Sequence, residues 1–389
     1  MPRKTNRSAQ GSGTIRQRPD GRWEARYTVG RDSGTGKQKQ KSIYGDTQQD
    51  VLKQLRQIQA AIDNGTYTEP SKMTVGQWMD IWLAEYLGGV KSATVYSYTT
   101  RTNNHIKPAV GSVPLQKLNA HTIQGFYNSL QKEKGLSPKT IKNMHGLFHG
   151  ALKQAVKIGY IRFNPSEACT LPRVERKEVK PLDENDIELF VDAIKGQPYE
   201  DIYIIDLFTG MRQGEILGLT WDCVDFKQGV IYINKQLQKE KGKGGQYLLA
   251  PLKNDKPRKI APADIVFQRL KAAAVRQKAM KLKAGQAWNN PNDLVFTNEV
   301  GKHLAHVTVY KHFKRIVRSI GMDDTRFHDL RHSYAVAALQ SGDDVKSVQE
   351  ALGHHTAAFT MDVYGHVTDK MRRESAERMN KFVKGIKNL

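Results

Sequence analysis

The chain has 389 residues and carries 61 Lys and Arg against 39 Asp and Glu, a formal net charge of +22. That length favours two or three domains, each with its own core, and the charge favours a polyanionic partner, nucleic acid or an anionic membrane surface, over the substrate of an ordinary metabolic enzyme. No apolar run approaches the twenty residues of a membrane span, the N-terminus is basic and polar rather than a signal peptide, and only two cysteines occur, Cys169 and Cys223, which excludes a disulfide framework and a cysteine-based zinc site. The expectation is a protein of the reducing cytoplasm with no membrane association.

Residues 1–45 hold 11 Lys and Arg and 3 acids. Two turn signals, Pro19-Asp20-Gly21 and Asp32-Ser33-Gly34-Thr35-Gly36, separate alternating runs at 13–18, 22–29 and 37–44. They predict three short antiparallel strands, with Trp23, Ala25, Tyr27 and Val29 on one face. A helix starts at Asp46-Thr47, with Asp50 at the acidic position of a capping box and Val51, Leu55, Ile58 and Ile62 at helical spacing; Gly65 stops it. A polar connector, 66–72, leads to four amphipathic helices. Thr74 caps a stripe of Val75, Trp78, Met79 and Trp82, the second helix spans 92–105, and the third runs from 120 to 134. The fourth opens at Ser137-Pro138, an N-cap followed by proline at the first helical position, and carries Ile141, Met144, Phe148, Ala151, Leu152 and Ala155. The stretch 164–180, with two prolines and a charged run, reads as an interdomain linker.

Beyond Pro181 the pattern mixes helices with a small sheet. Asp183 caps a helix, a second spans 199–208, and a third 213–219. Strands are expected at 230–234, 247–252 and 257–260, the last two joined as a hairpin by Lys253-Asn254-Asp255-Lys256. The remainder reads as helical and ends in a basic amphipathic helix, 369–389, with Met379, Phe382, Val383 and Ile386 on one side. The fold class is therefore multidomain, mainly α with small β-sheets (α+β), divided as 1–72, 73–170 and 178–389.

Chemistry-bearing residues concentrate in the last segment: Thr209-Gly210-Met211-Arg212-Gln213-Gly214-Glu215, the turn with Lys253, Phe327-His328-Asp329-Leu330-Arg331-His332, and Leu352-Gly353-His354-His355 followed by Val363-Tyr364-Gly365-His366. Taken singly, each reads as surface charge or core. Together, two arginines, two histidines and a lysine make a site for a phosphate gaining negative charge, and a nearby tyrosine hydroxyl is a nucleophile for phosphorus. No acidic cluster is present to hold the metal ions of a two-metal nuclease. A zinc hydrolase is the first rival, because His328 and His332 stand at i, i+4; Asp329 in place of the glutamate base and the surrounding arginines and lysines argue against it. A non-catalytic DNA-binding regulator and a type IB topoisomerase are the others.

In order and approximate spacing these motifs resemble the tyrosine recombinases, particularly the integrases of phages and conjugative transposons. The resemblance implies an arm-site-binding domain, a helical core-binding domain and a catalytic domain with a tail helix. It assigns Arg212 and Arg331 as the catalytic arginines, Lys253 as the hairpin lysine, His328 and His354 as the catalytic histidines, and Tyr364 as the nucleophile, with Glu215 as a supporting acid. The usual gap of nine residues before the tyrosine falls on His355, whereas Leu352-Gly353 precedes His354; both assignments stay open, His354 favoured. The activity implied is site-specific integration and excision of a mobile element or prophage through a 3′-phosphotyrosine, without cofactor or metal. The implied partners are double-stranded DNA at core and arm sites, three further copies of the chain, an excisionase and a host DNA-bending protein, in the bacterial cytoplasm and on the nucleoid. Arg16, Arg18, Arg22, Arg26, Lys37, Lys39 and Lys41 are the expected arm-DNA contacts.

Overall fold

The structure, a computed structural model, describes residues 14–31, 34–65, 67–69, 71–175, 180–240, 245–252, 256–353, 376–377, 379–380 and 383–386. It divides into two compact units, residues 1–175 and 176–389.

The first unit opens with strands β1 (Thr14–Gln17), β2 (Trp23–Arg31) and β3 (Gln38–Gly45), antiparallel in that order. The register aligns Ile15, Ala25 and Ile43 on one face and Arg16, Glu24 and Tyr44 on the other. Helix α1 (Gln48–Asp63) lies against the apolar face, where Ala25, Tyr27, Val51 and Leu55 make a small core. Its start is set by Thr47, whose hydroxyl accepts from the Asp50 amide at 3.2 Å. The alternation misses one buried residue on the opposite face: Glu24 is 3% exposed, covered by its own hydrogen-bond partners.

The same unit continues as a helical bundle with a separate core. It contains α2 (Val75–Glu85), α3 (Ser92–Arg101), α4 (Lys107–Val110), α5 (Ala120–Lys132) and α6 (Pro138–Lys157). Trp78 is fully buried and donates its indole N–H to the Ala151 carbonyl on α6 at 2.9 Å, so the largest side chain of the core is also satisfied. The helix expected to end at 105 instead runs on. A π-turn at Thr102–Ile106 connects α3 to α4, where the Lys107 amide reaches back to the Thr102 carbonyl. Pro108 explains the detour, because a proline ring clashes with the carbonyl four residues earlier and wider winding relieves it. The expected linker at 164–180 is corrected over its first residues. Asn164 and Ser166 are buried, Ser166 pairs with His149 of α6 at 3.0 Å, and Cys169 and Leu171 pack on the bundle.

The second unit holds α7 (Glu184–Ile194), α8 (Glu200–Thr209), α9 (Gln213–Leu217), α10 (Asp264–Ala284), α11 (His306–Ser319), α12 (Phe327–Gln340) and α13 (Val345–Leu352). Its strands are β4 (Val224–Asp225), β5 (Val230–Ile233), β6 (Lys235–Lys239), β7 (Tyr247–Pro251) and β8 (Arg258–Ile260). Helix α8 is buried along nearly its whole length in the core of this unit. The strand pairing differs from expectation. β7 pairs with β6, aligning Leu237 with Leu249, whereas β8 joins a different sheet, ordered β4-β5-β8, aligning Ile231 with Ile260. The strands flanking Lys253 therefore do not form a hairpin with each other. Pairing is decided by which apolar residues each sheet buries, and β6, with Leu237 as its one buried residue, has too little apolar signal to read as a partner.

The β6–β7 sheet sits close to α9. A Cβ at Gly218 would lie 2.4 Å from the Leu237 amide nitrogen and 2.8 Å from the Gln236 carbonyl carbon, so only glycine permits this approach. Gly218→Ala is expected to cost about 1–3 kcal/mol, the usual penalty of overpacking against backbone. Thermal denaturation of the full chain reads this as a lowered midpoint, and an unchanged midpoint would refute the contact.

Candidate active site

The turn between α8 and α9 carries the first expected residues. α8 ends at Gly210, which has φ +60°, and a Cβ there would meet the Tyr334 ring at 2.5 Å and Leu352 at 2.7 Å. The chain then enters α9 with Arg212 in extended conformation at its N-cap. Glu215, 1% exposed, folds back onto that cap: it accepts from the Arg212 amide at 3.0 Å and from Arg212 Nη1 at 2.7 Å. A second guanidinium reaches the same carboxylate from β8, Arg258 Nη1 at 3.1 Å and Nη2 at 2.5 Å. Burial alone would push the Glu215 carboxyl up, but the hydrogen bonds and charges of Arg258 and Arg212 prevail and hold it at about 2.

The second set comes from the first turns of α12. Arg331 is 1% exposed, its Nη1 on the Gly210 carbonyl at 2.6 Å and its Nη2 on the Leu352 carbonyl at 2.5 Å. Arg212 Nη2 reaches the next carbonyl, Gly353, at 3.3 Å, and Arg258 Nε the preceding one, Ala351, at 2.7 Å. The two expected arginines therefore meet at the C-terminal end of α13, on the residues that precede His354. His328 stands one turn before Arg331 with its ring 4.9 Å from that of His332. Its exposed imidazole is held below its ordinary pKa by partial desolvation and then by the positive charges of Arg331 and Arg212. His332 is buried, and desolvation lowers it to about 4.

A buried acid completes the neighbourhood. Asp206 on α8 is 1% exposed, and neither carboxyl oxygen has a hydrogen-bond partner among the described residues. Desolvation pushes its carboxyl well up, against the opposing attraction of Arg331. Sequence reasoning missed both Asp206 and Arg258. An acid within Ile204-Ile205-Asp206-Leu207-Phe208 was a readable signal; Arg258, between Lys256 and Lys259, was indistinguishable from surface charge. Lys253, His354, His355, His366 and Tyr364 lie outside the described residues, as does most of the expected tail helix. Among the described residues, no three His, Cys, Asp or Glu are grouped to hold a metal ion, and no helix is long and apolar enough to cross a membrane.

The expected arm contacts divide into paired and exposed residues. Arg16 and Arg26 both bind Glu24, at 2.6 and 3.0 Å, and with the Ser42 hydroxyl as the largest cause they hold its carboxyl at about 2. Lys39 and Lys41 both bind Glu69 in the connector. Arg18 lies 5.3 Å over the Tyr44 ring, and Arg22 and Lys37 are exposed.

Residues 180–371 match the phage integrase family, and residues 74–131 match the phage integrase N-terminal SAM-like domain. A tyrosine recombinase XerC-like protein of Caldanaerobacter subterraneus subsp. tengcongensis is 29% identical over 373 residues, covering 91% of this chain and 94% of its own. The Tn1549 transposon integrase, solved with transposon right end DNA, is 25% identical with a TM-score of 0.68, covering 79% of this chain and 100% of that one. A lambda integrase tetramer bound to a Holliday junction shares the fold at 19% identity, TM-score 0.55, over 88% of this chain and 96% of its own.

The family models and the relatives define an enzyme that cleaves and rejoins DNA. The chain belongs to the tyrosine recombinase family of phage integrases. Its activity is DNA cleavage and rejoining in site-specific recombination of a mobile element.

Glu215 ties acid stability to this site. Its carboxyl sits at about 2 against an ordinary 4.5, so its stabilising contribution is complete above 4.5 and is lost as pH falls toward 2. The difference corresponds to on the order of 3 kcal/mol. Denaturant titrations from pH 7 to pH 2 are expected to show this loss in the wild type, whereas Glu215→Gln is less stable at pH 7 and lacks that part of the acid dependence. Parallel acid profiles would contradict the pairing.

Proposed function

We propose that Arg212, Lys253, His328, Arg331, His354 and Tyr364 carry the recombinase chemistry of this chain. The observation that carries the reading is the meeting of Arg212 and Arg331 at the end of α13, one residue before His354 in the chain. Guanidinium groups match the non-bridging oxygens of a phosphodiester and neutralise the charge that develops there. Tyr364 attacks the phosphorus, its phenolic proton passing to His328 or His354. A 3′-phosphotyrosine forms, and the 5′-oxygen leaves with a proton supplied by Lys253. The 5′-hydroxyl of a partner strand reverses the step, so no external energy source is consumed. Cleavage is expected to persist in EDTA.

The division 1–72, 73–170 and 178–389 gives each segment a role. The basic sheet binds arm DNA through Arg16, Arg18, Arg22, Arg26, Lys37, Lys39 and Lys41, and the bundle and the catalytic segment each bind core-site DNA. Four copies of the chain exchange strands between two duplexes, a reading that the lambda integrase tetramer supports at the level of fold. An excisionase and a host DNA-bending protein set the direction, and the work takes place in the bacterial cytoplasm, on the nucleoid when DNA is bound.

A covalent-adduct assay on nicked duplexes from the element's ends tests the chemistry. Tyr364→Phe is expected to bind DNA normally and to give no adduct, and His354→Ala to slow cleavage far more than His355→Ala. An adduct from the Phe variant, or a reversed order of the histidine variants, would reassign the residues.

Removing residues 1–72 takes away 14 Lys and Arg and 7 acids. The truncated chain is expected to cleave core DNA but to lose arm affinity, and with fewer phosphates neutralised its arm-region binding should depend less steeply on salt. Band shifts on arm and core DNA at several salt concentrations measure both. Undiminished arm binding would remove the sheet from the DNA interface.

A further inference from the structure

Three consecutive carbonyls end α13, and three different arginines occupy them. Ala351 accepts from Arg258, Leu352 from Arg331 and Gly353 from Arg212, at 2.7, 2.5 and 3.3 Å. The last carbonyls of a helix are its unsatisfied, negative end, so cations gather there favourably. Arg258 differs from the other two in what its remaining donors do. Both of its amino groups are committed to Glu215, and its side chain is 8% exposed, which leaves it badly placed to meet a phosphate. Its packing is equally determined: Gly353, at φ +64°, would bring a Cβ to 3.2 Å from both Cδ and Nη1 of Arg258.

We infer that Arg258 is a positioning residue for recombination, locking Glu215 and the end of α13 together so that Arg212 is presented at the site in one orientation. Glu215 accepts from both arginines at Oε1, so the Arg212 guanidinium is oriented by a carboxylate that Arg258 itself fixes. The same Arg258 holds the helix end whose next carbonyls receive Arg331 and Arg212. Loss of Arg258 therefore leaves a buried carboxylate with one guanidinium in place of two and frees the Ala351 carbonyl. This inference rests on the reading of Arg212 as a phosphate-binding catalytic residue.

Single-turnover cleavage of nicked core DNA by the full chain, followed from acidic to neutral pH beside band-shift affinities and melting temperatures, tests it. The groups facing Glu215 are Arg212 on its own turn, Arg258 from β8 and Asp206 from α8; His306, at the start of α11, lies beside the neighbouring Gly214, and Lys235 of β6 is engaged with Asp222. Without Arg258, the Glu215 carboxyl takes up a proton more readily and cleavage fails at a higher pH. Arg258→Gln is expected to cleave about 10- to 100-fold more slowly, as displaced catalytic groups do. Its DNA affinity should stay within about twofold, separating a chemical-step effect from a binding effect. The acid limb of its rate profile should move up by about one pH unit or more. Arg258→Lys keeps the charge but not the fork, and should restore the pH profile with only part of the rate.

Wild-type rate and profile in a folded Arg258→Gln protein would overturn the inference. So would a loss that merely follows lost DNA binding or lost folding, or identical profiles for the Gln and Lys variants. Arg212→Ala is the control that separates the two readings. If it cleaves like the wild type, the site assignment itself falls; if it is inactive while Arg258→Gln is normal, only the role of Arg258 falls.

Discussion

A carboxylate sealed from water has to have its charge answered, and the answer given to Glu215 organises the catalytic unit. Arg212 reaches it from its own helical turn and Arg258 from a strand, so a single buried anion joins α9 to β8. Asp206, the other acid in this neighbourhood, shows the alternative outcome. It has no hydrogen-bond donor among the described residues, and desolvation shifts it toward the neutral form, the opposite direction from Glu215. Two acids near the same arginines thus differ because one is hydrogen-bonded and the other is only buried.

The end of α13 is the second organising feature. Its last carbonyls, left without partners inside the helix, attract the guanidinium groups, and two left-handed glycines let the elements close around it. Gly210 leaves room for Tyr334 and Leu352, and Gly353 leaves room for Arg258. Arg212 and Arg331 are thereby held by backbone oxygens before any phosphate arrives. A preformed array of donors of this kind needs little rearrangement as charge develops on a substrate.

Net charge describes the N-terminal sheet less well than its pairing does. Glu24 engages two arginines, Glu69 engages two lysines and Asp20 lies beside Arg18, so among the described residues five of the seven expected DNA contacts already have an anionic partner within the protein. A phosphate approaching that surface competes with these carboxylates, while Arg22 and Lys37 stand exposed. Such internal pairs order long side chains and so trade part of the attraction for geometry.

How much of this was legible follows the range of the interactions involved. The helix starts at Thr47, Thr74, Ser137 and Asp183 were readable because a cap is a contact between residues three apart, and the apolar stripes of α2 and α6 were readable because helical periodicity is local. The arginine, histidine and glutamate motifs were readable for the same reason, each lying within one turn of chain. The partner of β7 was not, since pairing joins segments by the burial they share rather than by nearness in sequence, and β6 shows almost no apolar pattern. Glu24 and Arg258 were misread or missed because their burial depends on charges brought from other strands and helices. The amino-acid sequence by itself determined the segment types, their caps and the motifs from which the reacting groups are proposed, all properties of short stretches of chain. Only the tertiary structure decided which charges are neutralised in pairs and which carbonyls the arginines hold, because electrostatic and hydrogen-bond partners are selected by distance in space.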